Sequence, residues 1–384
     1  MAVAVKKHNT IGHGHAILEG ILSFTKKNAV MLIALIAALI TMIFIPPDSE
    51  YLSYFDFKTL TCLFCTLLVI CALKNIRFFY MLAHKIVQLF KNTRACVLAL
   101  VYVTFLGSML LANDMALLTF LPLGYIVLET TGKKKLMAFT FIMQNIAANL
   151  GGMLTPFGNP QNLYLYTKFQ IPTGEFMGIM AIPFLTSVAL ITLCCFLFVK
   201  PESVQIHEED IRPQPIRTVI YLVLFALSII VVFRVVHYVV GLIVIPLVIL
   251  CMDKKAFKKV DYPLLLTFVF FFIFAGNMSR IEVVRQLFSG LLQKNTLLVS
   301  IVSCQCISNV PSAILLSQFT GNYRGLLLGV NIGGVGTLIS SLASLITFRE
   351  YVKRNPGKGG RYIAIFSAFN FSFLLILTLI ALFL

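Results

Sequence analysis

The sequence predicts an all-α polytopic membrane protein, built as an inverted repeat with two re-entrant hairpins and two broken transmembrane helices. Three observations lead to this fold class. Of the 384 residues, 59% are hydrophobic and only 12% are charged, whereas soluble domains carry about 25% charged residues. Apolar stretches of about 20 residues recur along the chain, and each could cross a bilayer as a helix. Short polar motifs interrupt some of these stretches, in two related sets.

The charge distribution predicts the topology. The formal net charge is +16, but the basic residues form short clusters between apolar stretches, such as 133–135 and 254–259. Such clusters favour the cytoplasmic side of a membrane protein, so nucleic acid is not an expected partner. Lys26 and Lys27 put the N-terminus in the cytoplasm. We therefore expect a multi-pass protein of the cell membrane, of inner-membrane type, with the lipid bilayer as its partner.

The first half is predicted at residues 28–199, after a cytoplasmic N-terminal segment at 1–27. Residues 95–130 form an inner hairpin, because basic residues flank both ends and Asn113-Asp114 interrupts the middle. The charges leave open whether this segment is re-entrant or crosses twice. Residues 136–168 form the first broken helix, interrupted by TPFGNPQN (155–162). The remaining segments are crossing helices at 28–46, 59–73 and 176–199, and an amphipathic interfacial helix at 76–94.

The second half is predicted at residues 218–384, after a polar cytoplasmic linker at 200–217. An outer hairpin at 295–320 is interrupted at 308–311, and a second broken helix follows at 325–347. An amphipathic stretch at 281–294 precedes the hairpin, and crossing helices are predicted at 218–233, 236–252, 262–277 and 362–384. Because one hairpin opens to the cytoplasm and the other to the outside, the halves form an inverted repeat, which is an arrangement suited to alternating access.

The repeat is visible in the residues. Residues 149–155 (NLGGMLT) align with residues 331–337 (NIGGVGT). At the same spacing Gly158-Asn159 aligns with Ser340-Ser341, and Asn113 and Asn309 each precede an apolar run. A match of Asn, Gly-Gly and Thr together indicates an internal duplication.

The interruptions are expected to bind solute, because each begins a helix inside an apolar span. Asn159 followed by Pro160 is a favoured helix start. Four helix N-termini would then point toward the bilayer centre, each with about half a positive charge, and such ends bind anions without Lys or Arg. Unwound carbonyls beside them suit Na⁺. The predicted solute- or ion-binding residues are Asn113, Asp114, Asn149, Thr155, Gly158, Asn159, Asn162, Ser308, Asn309, Asn331, Thr337, Ser340 and Ser341.

Two of these predictions carry explicit alternatives. Asn149 and Asn331 also suit plain interhelical hydrogen bonding. Asp114 is the only carboxylate deep in a predicted span, which marks a functional site, although a protonated structural Asp is the alternative. We predict that Asp114 carries the coupling H⁺ or Na⁺, and that a coupling Na⁺ would lie near Asn113, Asp114 and Asn309. No cofactor is expected, and the lack of zinc-type, P-loop or G-x-S-x-G motifs argues against an enzyme.

Four motifs carry a resemblance to a known group: ANDMALLTFLP (112–122), TPFGNPQNL (155–163), SNVPSAILL (308–316) and GVNIGGVGTLISSLASL (329–345). The chain resembles the ion transporter superfamily over nearly its whole length. That group includes arsenite permeases, citrate transporters, divalent-anion/sodium symporters and some sodium/proton antiporters. The resemblance implies a scaffold domain and a transport domain, with solute and coupling ions between the hairpin tips and the breaks. We also expect a homodimer.

The tips depart from one branch of the group. Dicarboxylate symporters carry Ser-Asn-Thr at both tips, whereas this chain has Ala112-Asn113-Asp114 and Ser308-Asn309-Val310. The departure argues against dicarboxylate specificity, and the first tip is closer to the arsenite-permease type. The expected function is secondary active transport of a small anion, an oxyanion or a carboxylate, coupled to H⁺ or Na⁺. The alternatives are a Na⁺/H⁺ antiporter of the same fold and an anion channel.

Overall fold

A computed structural model describes residues 28–203 and 214–384 of the chain. Within these ranges the structure is all-helical, with no sheet and one isolated bridge between Asn92 and Ser203. The predicted all-α membrane fold is confirmed by helices that are long and apolar enough to cross a bilayer. These seven helices are Phe57–Asn75, Thr93–Leu110, Thr173–Phe198, Pro215–Val232, Tyr262–Arg280, Glu282–Ile307 and Gly359–Ala381.

The remaining α-helices of the described part of the chain are shorter or less apolar. Ala29–Phe44 and Tyr238–Met252 are apolar. The others are Phe78–Gln88, Asn113–Thr130, Met137–Gly151, Pro160–Lys168, Lys254–Lys259, Asn309–Leu316, Tyr323–Ile332 and Leu342–Arg354. The predicted segment 1–27 and most of the predicted linker 200–217 lie outside the described residues, and a helix already begins at Pro215.

The helices Thr93–Leu110 and Asn113–Thr130 form the first helix pair, joined by an extended tip at Leu111 and Ala112. Their outer ends lie together. The backbone N–H of Thr93 donates to the carbonyl of Glu202 over 2.7 Å, and the Glu202 carboxylate pairs with Lys133. The Lys133 ammonium holds the pKa of the Glu202 carboxyl below its usual range.

The helices Glu282–Ile307 and Asn309–Leu316 form the second helix pair, joined at Ser308. Ser308 has a φ of 75°, a backbone conformation that is uncommon outside glycine. The longer helix of this pair is kinked at Asn295, where φ is −162° and ψ is 95°. This kink falls where the amphipathic stretch was predicted to meet the hairpin.

Two other helices are interrupted. The first break, residues 152–159, separates Met137–Gly151 from Pro160–Lys168, and the second break, residues 333–341, separates Tyr323–Ile332 from Leu342–Arg354. The sequence predicts the first interruption at 155–162, which overlaps the observed break, and predicts the second within 325–347. Packing of Ala29–Phe44 along Tyr262–Arg280, and of the first helix pair along Met137–Gly151, encloses the breaks.

Candidate functional site

A cavity lies where both tips meet the second break. It is a small space, partly continuous with solvent. The lining combines tip residues, break residues and side chains from uninterrupted helices. It consists of Val30, Asn113, Asp114, Pro160, Leu264, Thr267, Ser308, Asn309, Val310, Pro311, Ser341 and Leu342.

Four helix N-termini converge on this cavity. Asn113, Pro160, Asn309 and Leu342 are each the first residue of a helix, and all four line the space. Each N-terminus contributes about half a positive charge from N–H groups that lack an intrahelical partner. The lining that residues 28–203 and 214–384 provide contains no Lys or Arg, so the backbone supplies the positive potential.

The first tip is held by the side chain of Asn113. Its amide donates to Oδ1 of Asn149 over 3.0 Å and to Oγ of Ser341 over 3.4 Å. The backbone N–H of Asp114 donates to Oδ1 of Asn113 over 3.0 Å. Asn113 therefore joins the first tip to the helix before the first break and to the end of the second break.

The second tip is held by backbone as well as side-chain contacts. The N–H of Asn309 donates to the carbonyl of Ser340 over 3.0 Å, and Oγ of Ser308 donates to the same carbonyl over 3.2 Å. The N–H of Val310 donates to Oδ1 of Asn309 over 2.9 Å, which repeats the geometry of Asn113 and Asp114.

Among the described residues, Asp114 brings the only carboxyl group to the cavity lining. Its side chain is half-buried, and Oδ1 is buried without a hydrogen-bond donor among the described residues. A buried charge without a partner is costly, so this carboxyl favours a state in which it holds a proton or a cation. The hydroxyls of Ser308 and Ser341 supply further oxygens in the same lining.

The threonines of the breaks lie behind the cavity. Oγ1 of Thr155 donates to the carbonyl of Met109 over 3.0 Å, and Oγ1 of Thr337 donates to the carbonyl of Gln305 over 3.2 Å. Each acceptor lies one helical turn before a tip asparagine. The two contacts are therefore equivalent, and each anchors a break to the first helix of a helix pair.

Asn149, Asn162 and Asn331 also bind backbone, and Asn331 binds Asn162. The amide of Asn331 donates to Oδ1 of Asn162 over 2.6 Å and to the carbonyl of Leu327. The amide of Asn149 donates to the carbonyl of Asn145 over 3.1 Å. Asn331 thus makes an interhelical hydrogen bond, which is the alternative to solute binding for this residue. Asn149 accepts an interhelical hydrogen bond from Asn113 of the first tip.

Hydrogen bonds from the side chain of Asn162 hold the backbone of the first break in place. The amide of Asn162 donates to the carbonyls of Gly152, Met153 and Thr155 over 3.2–3.4 Å. At Gly158 a Cβ would lie 2.4 Å from the carbonyl oxygen of Gly152, so no side chain fits there.

Asn159 precedes the helix that begins at Pro160, but its side chain makes no capping bond. Its amide instead donates to the carbonyl of Asn149 over 3.4 Å, and its Oδ1 is buried without a partner among the described residues. Asn159 packs so closely on Gly152 that a Cβ there would lie 2.5 Å from Oδ1. This approach explains Gly152, the second glycine in the first copy of the repeated motif.

The serines of the second break differ in role. Oγ of Ser341 accepts from the N–H of Ala343 over 3.3 Å and so caps the helix Leu342–Arg354. Oγ of Ser340 donates to the carbonyls of Gly334 and Thr337 over 3.0 and 2.8 Å and is fully buried. Ser341 lines the cavity, whereas Ser340 supports the break.

Gln305 was not predicted. Its amide donates to the carbonyls of Gly333 and Val335 over 2.9 and 3.2 Å, and its Oε1 accepts from the N–H of Thr337 over 2.9 Å. One side chain therefore satisfies three backbone groups of the second break. The sequence signal available for Gln305 is its position as a polar residue one helical turn before Asn309 in an apolar segment.

Three lining residues come from uninterrupted helices and were also missed. Val30 belongs to Ala29–Phe44, and Leu264 and Thr267 belong to Tyr262–Arg280. They form the wall that faces the tips. Nothing in their local sequence distinguishes them from other membrane-spanning residues.

Comparison with known proteins places the chain among membrane transporters. The model of the citrate transporter family CitMHS matches residues 17–322. The uncharacterized transporter MJ0456 of Methanocaldococcus jannaschii is 32% identical over 333 residues, which cover 86% of this chain and 90% of the relative. The inner membrane protein YbiR of Escherichia coli is 28% identical, covering 71% and 74%. The silicon efflux transporter LSI3 of rice is 33% identical over 147 residues, covering 38% and 30%.

Proposed function

Because this chain belongs to the citrate transporter family of the ion transporter superfamily, we propose that it is a secondary active transporter that moves a small oxyanion or carboxylate, coupled to H⁺ or Na⁺, by alternating access. It is a multi-pass membrane protein of a transporter family and not an enzyme. One observation carries the proposal. Four helix N-termini and the carboxyl of Asp114 converge on a cavity whose lining, in the described part of the chain, includes no Lys or Arg.

The electrostatics of the cavity favour coupling. Helix N-termini attract an anion, but an ionised Asp114 in the same small space repels it. A bound H⁺ or Na⁺ on Asp114 removes this repulsion, and a bound anion in turn raises the affinity for the cation. This reciprocal effect is what coupled binding requires.

The predicted residues divide into two roles in this proposal. Asn113, Asp114, Ser308, Asn309 and Ser341 contact the solute or the ion, and a coupling Na⁺ would lie near Asn113, Asp114 and Asn309. The others hold the tips and breaks in place through the contacts described above. They are Asn149, Thr155, Gly158, Asn159, Asn162, Asn331, Thr337 and Ser340.

The proposed architecture is an inverted repeat of residues 28–199 and 218–384, in which both helix pairs are re-entrant. The outer ends of the first pair meet at Glu202 beside Lys133. The second helix of the second pair ends at Leu316, two residues before Gln318, which accepts from Lys168 over 3.1 Å. The broken helix runs from beside Lys133 to Lys168, about 22 Å and then about 13 Å of helix, which supports openings on opposite faces.

Equivalent hydrogen bonds support the duplication as well. The threonine in each break donates to an equivalent carbonyl in one of the helix pairs. The asparagine at each tip accepts from the backbone N–H of the residue that follows it. In this proposal the N-terminus and the linker are cytoplasmic, and the membrane is the inner membrane, where the relative YbiR is found by name. The homodimer stays a prediction.

The Na⁺/H⁺ antiporter remains the second candidate, because one observation favours it. The cavity presents a carboxyl, hydroxyls and amides without a cationic side chain, and such oxygens also suit a cation. In that case Na⁺ and H⁺ would compete for Asp114 and no anion would bind.

A thermal-shift screen of the purified protein tests the proposal. The panel contains citrate, succinate, phosphate, sulfate, arsenite and silicate, the last because one relative is a silicon efflux transporter by name. Each is tested with Na⁺ or K⁺ at several pH values. A ligand that binds only the folded state raises the unfolding temperature. We expect one compound to do so, and more strongly with Na⁺ or at low pH.

Asn309→Ala should weaken this shift, because a lost hydrogen bond to a charged group is worth about 1.5–3 kcal/mol, or tenfold and more in affinity. Asn322→Ala is the matched control. Asn322 caps the helix Tyr323–Ile332 and does not line the cavity, so its variant should lose stability but keep the shift. A shift by Na⁺ alone, with none by any panel compound, would favour the antiporter instead.

A further inference from the structure

The short helix Lys254–Lys259 carries four lysines in six residues. Its apolar face packs on the protein. Ala256 is fully buried, and the ring of Phe257 lies 6.5 Å from that of Phe64. The lysine side chains are exposed. This helix is therefore fixed to the protein by one face and presents positive charge on the other.

Two carboxylates flank the four lysines, and both accept hydrogen bonds from neutral donors. Asp253 accepts from the N–H of Lys255 over 3.1 Å and from the amide of Asn75 over 2.7 Å. Asp261 accepts from the N–H of Leu264 over 3.0 Å. In the described part of the chain, none of the ion pairs involves a lysine of this helix.

One lysine has a structural contact and three do not. The ammonium of Lys259 donates to Oδ1 of Asn75 over 2.6 Å, which fastens the end of the helix. Lys254, Lys255 and Lys258 extend from the surface without such a contact among the described residues.

Apolar surface lies directly beside these charges. The helix joins Tyr238–Met252 to the membrane-spanning Tyr262–Arg280. At their near ends, Leu250 and Tyr262 are 46% and 42% exposed. A ligand with an anionic head and an apolar tail matches this pattern, since lysines at a membrane boundary attract anionic headgroups and aromatic residues settle at that level.

We propose that the helix Lys254–Lys259 is a binding site for an anionic glycerophospholipid. The lysines contact the headgroup phosphate, and Leu250 and Tyr262 contact the acyl chains. The site is remote in sequence from the tips and breaks and does not depend on the transported solute. A cluster that acts only as a topology signal needs positive charge during insertion, but no preference among lipids afterwards.

Native mass spectrometry of the protein purified in detergent tests the proposal, with phosphatidylglycerol as the probe and phosphatidylcholine for comparison. The variant Lys254→Gln/Lys255→Gln/Lys258→Gln retains Lys259 and its contact with Asn75. We expect its affinity for phosphatidylglycerol to fall about tenfold or more, with little change for phosphatidylcholine. The corresponding Arg variant keeps the charge and should keep the affinity.

Lys353→Gln/Lys358→Gln/Arg361→Gln is the matched control. It removes the same number of exposed cations at another turn and should leave phosphatidylglycerol binding within twofold of the parent. Equal loss in both variants, or no loss in the first, would overturn the proposal. Full competition by inorganic phosphate at equal concentration would also overturn it, because the site would then recognise phosphate and not a lipid.

Discussion

The amide of Asn331 donates a hydrogen bond of 2.6 Å to Oδ1 of Asn162, and this bond joins the two broken segments of the chain. Both side chains are buried. Asn162 also holds three carbonyls of the first break, and Asn331 lies just before the second break. The bond therefore links the helix that follows the first break to the helix that precedes the second break, and we expect the two breaks to be energetically coupled.

A double-mutant cycle measures this coupling. Asn331→Ala and Asn162→Ala should each lower stability by about 1–3 kcal/mol, because each leaves a buried polar group without its partner. Asn162→Ala should cost more, since three carbonyls lose their donor. Hydrogen bonds between membrane helices contribute about 0.6 kcal/mol on average and up to about 1.7, so the coupling energy should fall in that range. Additive losses in denaturant titrations would show that the bond contributes nothing.

The second break depends on a glycine that no other residue can replace. Gly336 has a φ of 127°, and a Cβ there would lie 2.2 Å from Oε1 of Gln305. Gly336→Ala should therefore strain the backbone and displace Gln305 from its contacts, at a cost of at least about 1–3 kcal/mol.

Gly178→Ala is the control for this substitution. Gly178 lies in the helix Thr173–Phe198, where an added Cβ meets nothing within 4 Å. The variant should gain up to about 1 kcal/mol from helix propensity. Apparent unfolding temperatures should thus move in opposite directions, and a Gly336→Ala variant as stable as the parent would contradict the described break.

Labelling of single cysteines tests the inverted repeat. In a background without the nine native cysteines, Lys135→Cys marks the outer end of the first helix pair and Lys294→Cys marks the arm of the second. Both positions are exposed. An impermeant maleimide should label Lys135→Cys only from the cytoplasm and Lys294→Cys only from outside. Labelling of both from the same side would exclude opposite openings.

The tips and breaks could be predicted from the sequence because membrane spans tolerate few polar residues. Asn113 and Asn309 interrupt apolar runs, so their positions are visible without any structure. The direction of each polar side chain could not be predicted. Around an interrupted helix all faces are buried in protein, and Asn159, Asn162 and Ser341 look equally suited to a ligand until the fold orients them.

The remaining walls of the cavity could not be predicted for a different reason. Val30 and Thr267 belong to uninterrupted helices. Their side chains face the cavity because of the way Ala29–Phe44 packs along Tyr262–Arg280. Such packing between apolar helices is set by tertiary shape and leaves no local pattern.

The most direct test of coupled transport is Asp114→Asn in proteoliposomes, once the thermal-shift screen has given a solute. Asn keeps the size and hydrogen-bonding capacity of the side chain but cannot bind and release a proton. Glu129→Gln is the control, because it removes a carboxylate that pairs with Lys134 away from the cavity. Accumulation against an imposed H⁺ or Na⁺ gradient and exchange without a gradient are measured for each variant.

We expect the Asp114→Asn protein to exchange solute across the membrane but not to accumulate it in response to either gradient. The Glu129→Gln protein should accumulate solute like the parent. If Asp114→Asn accumulates solute as steeply as the parent at every pH tested, Asp114 is a structural residue and the coupling site lies elsewhere.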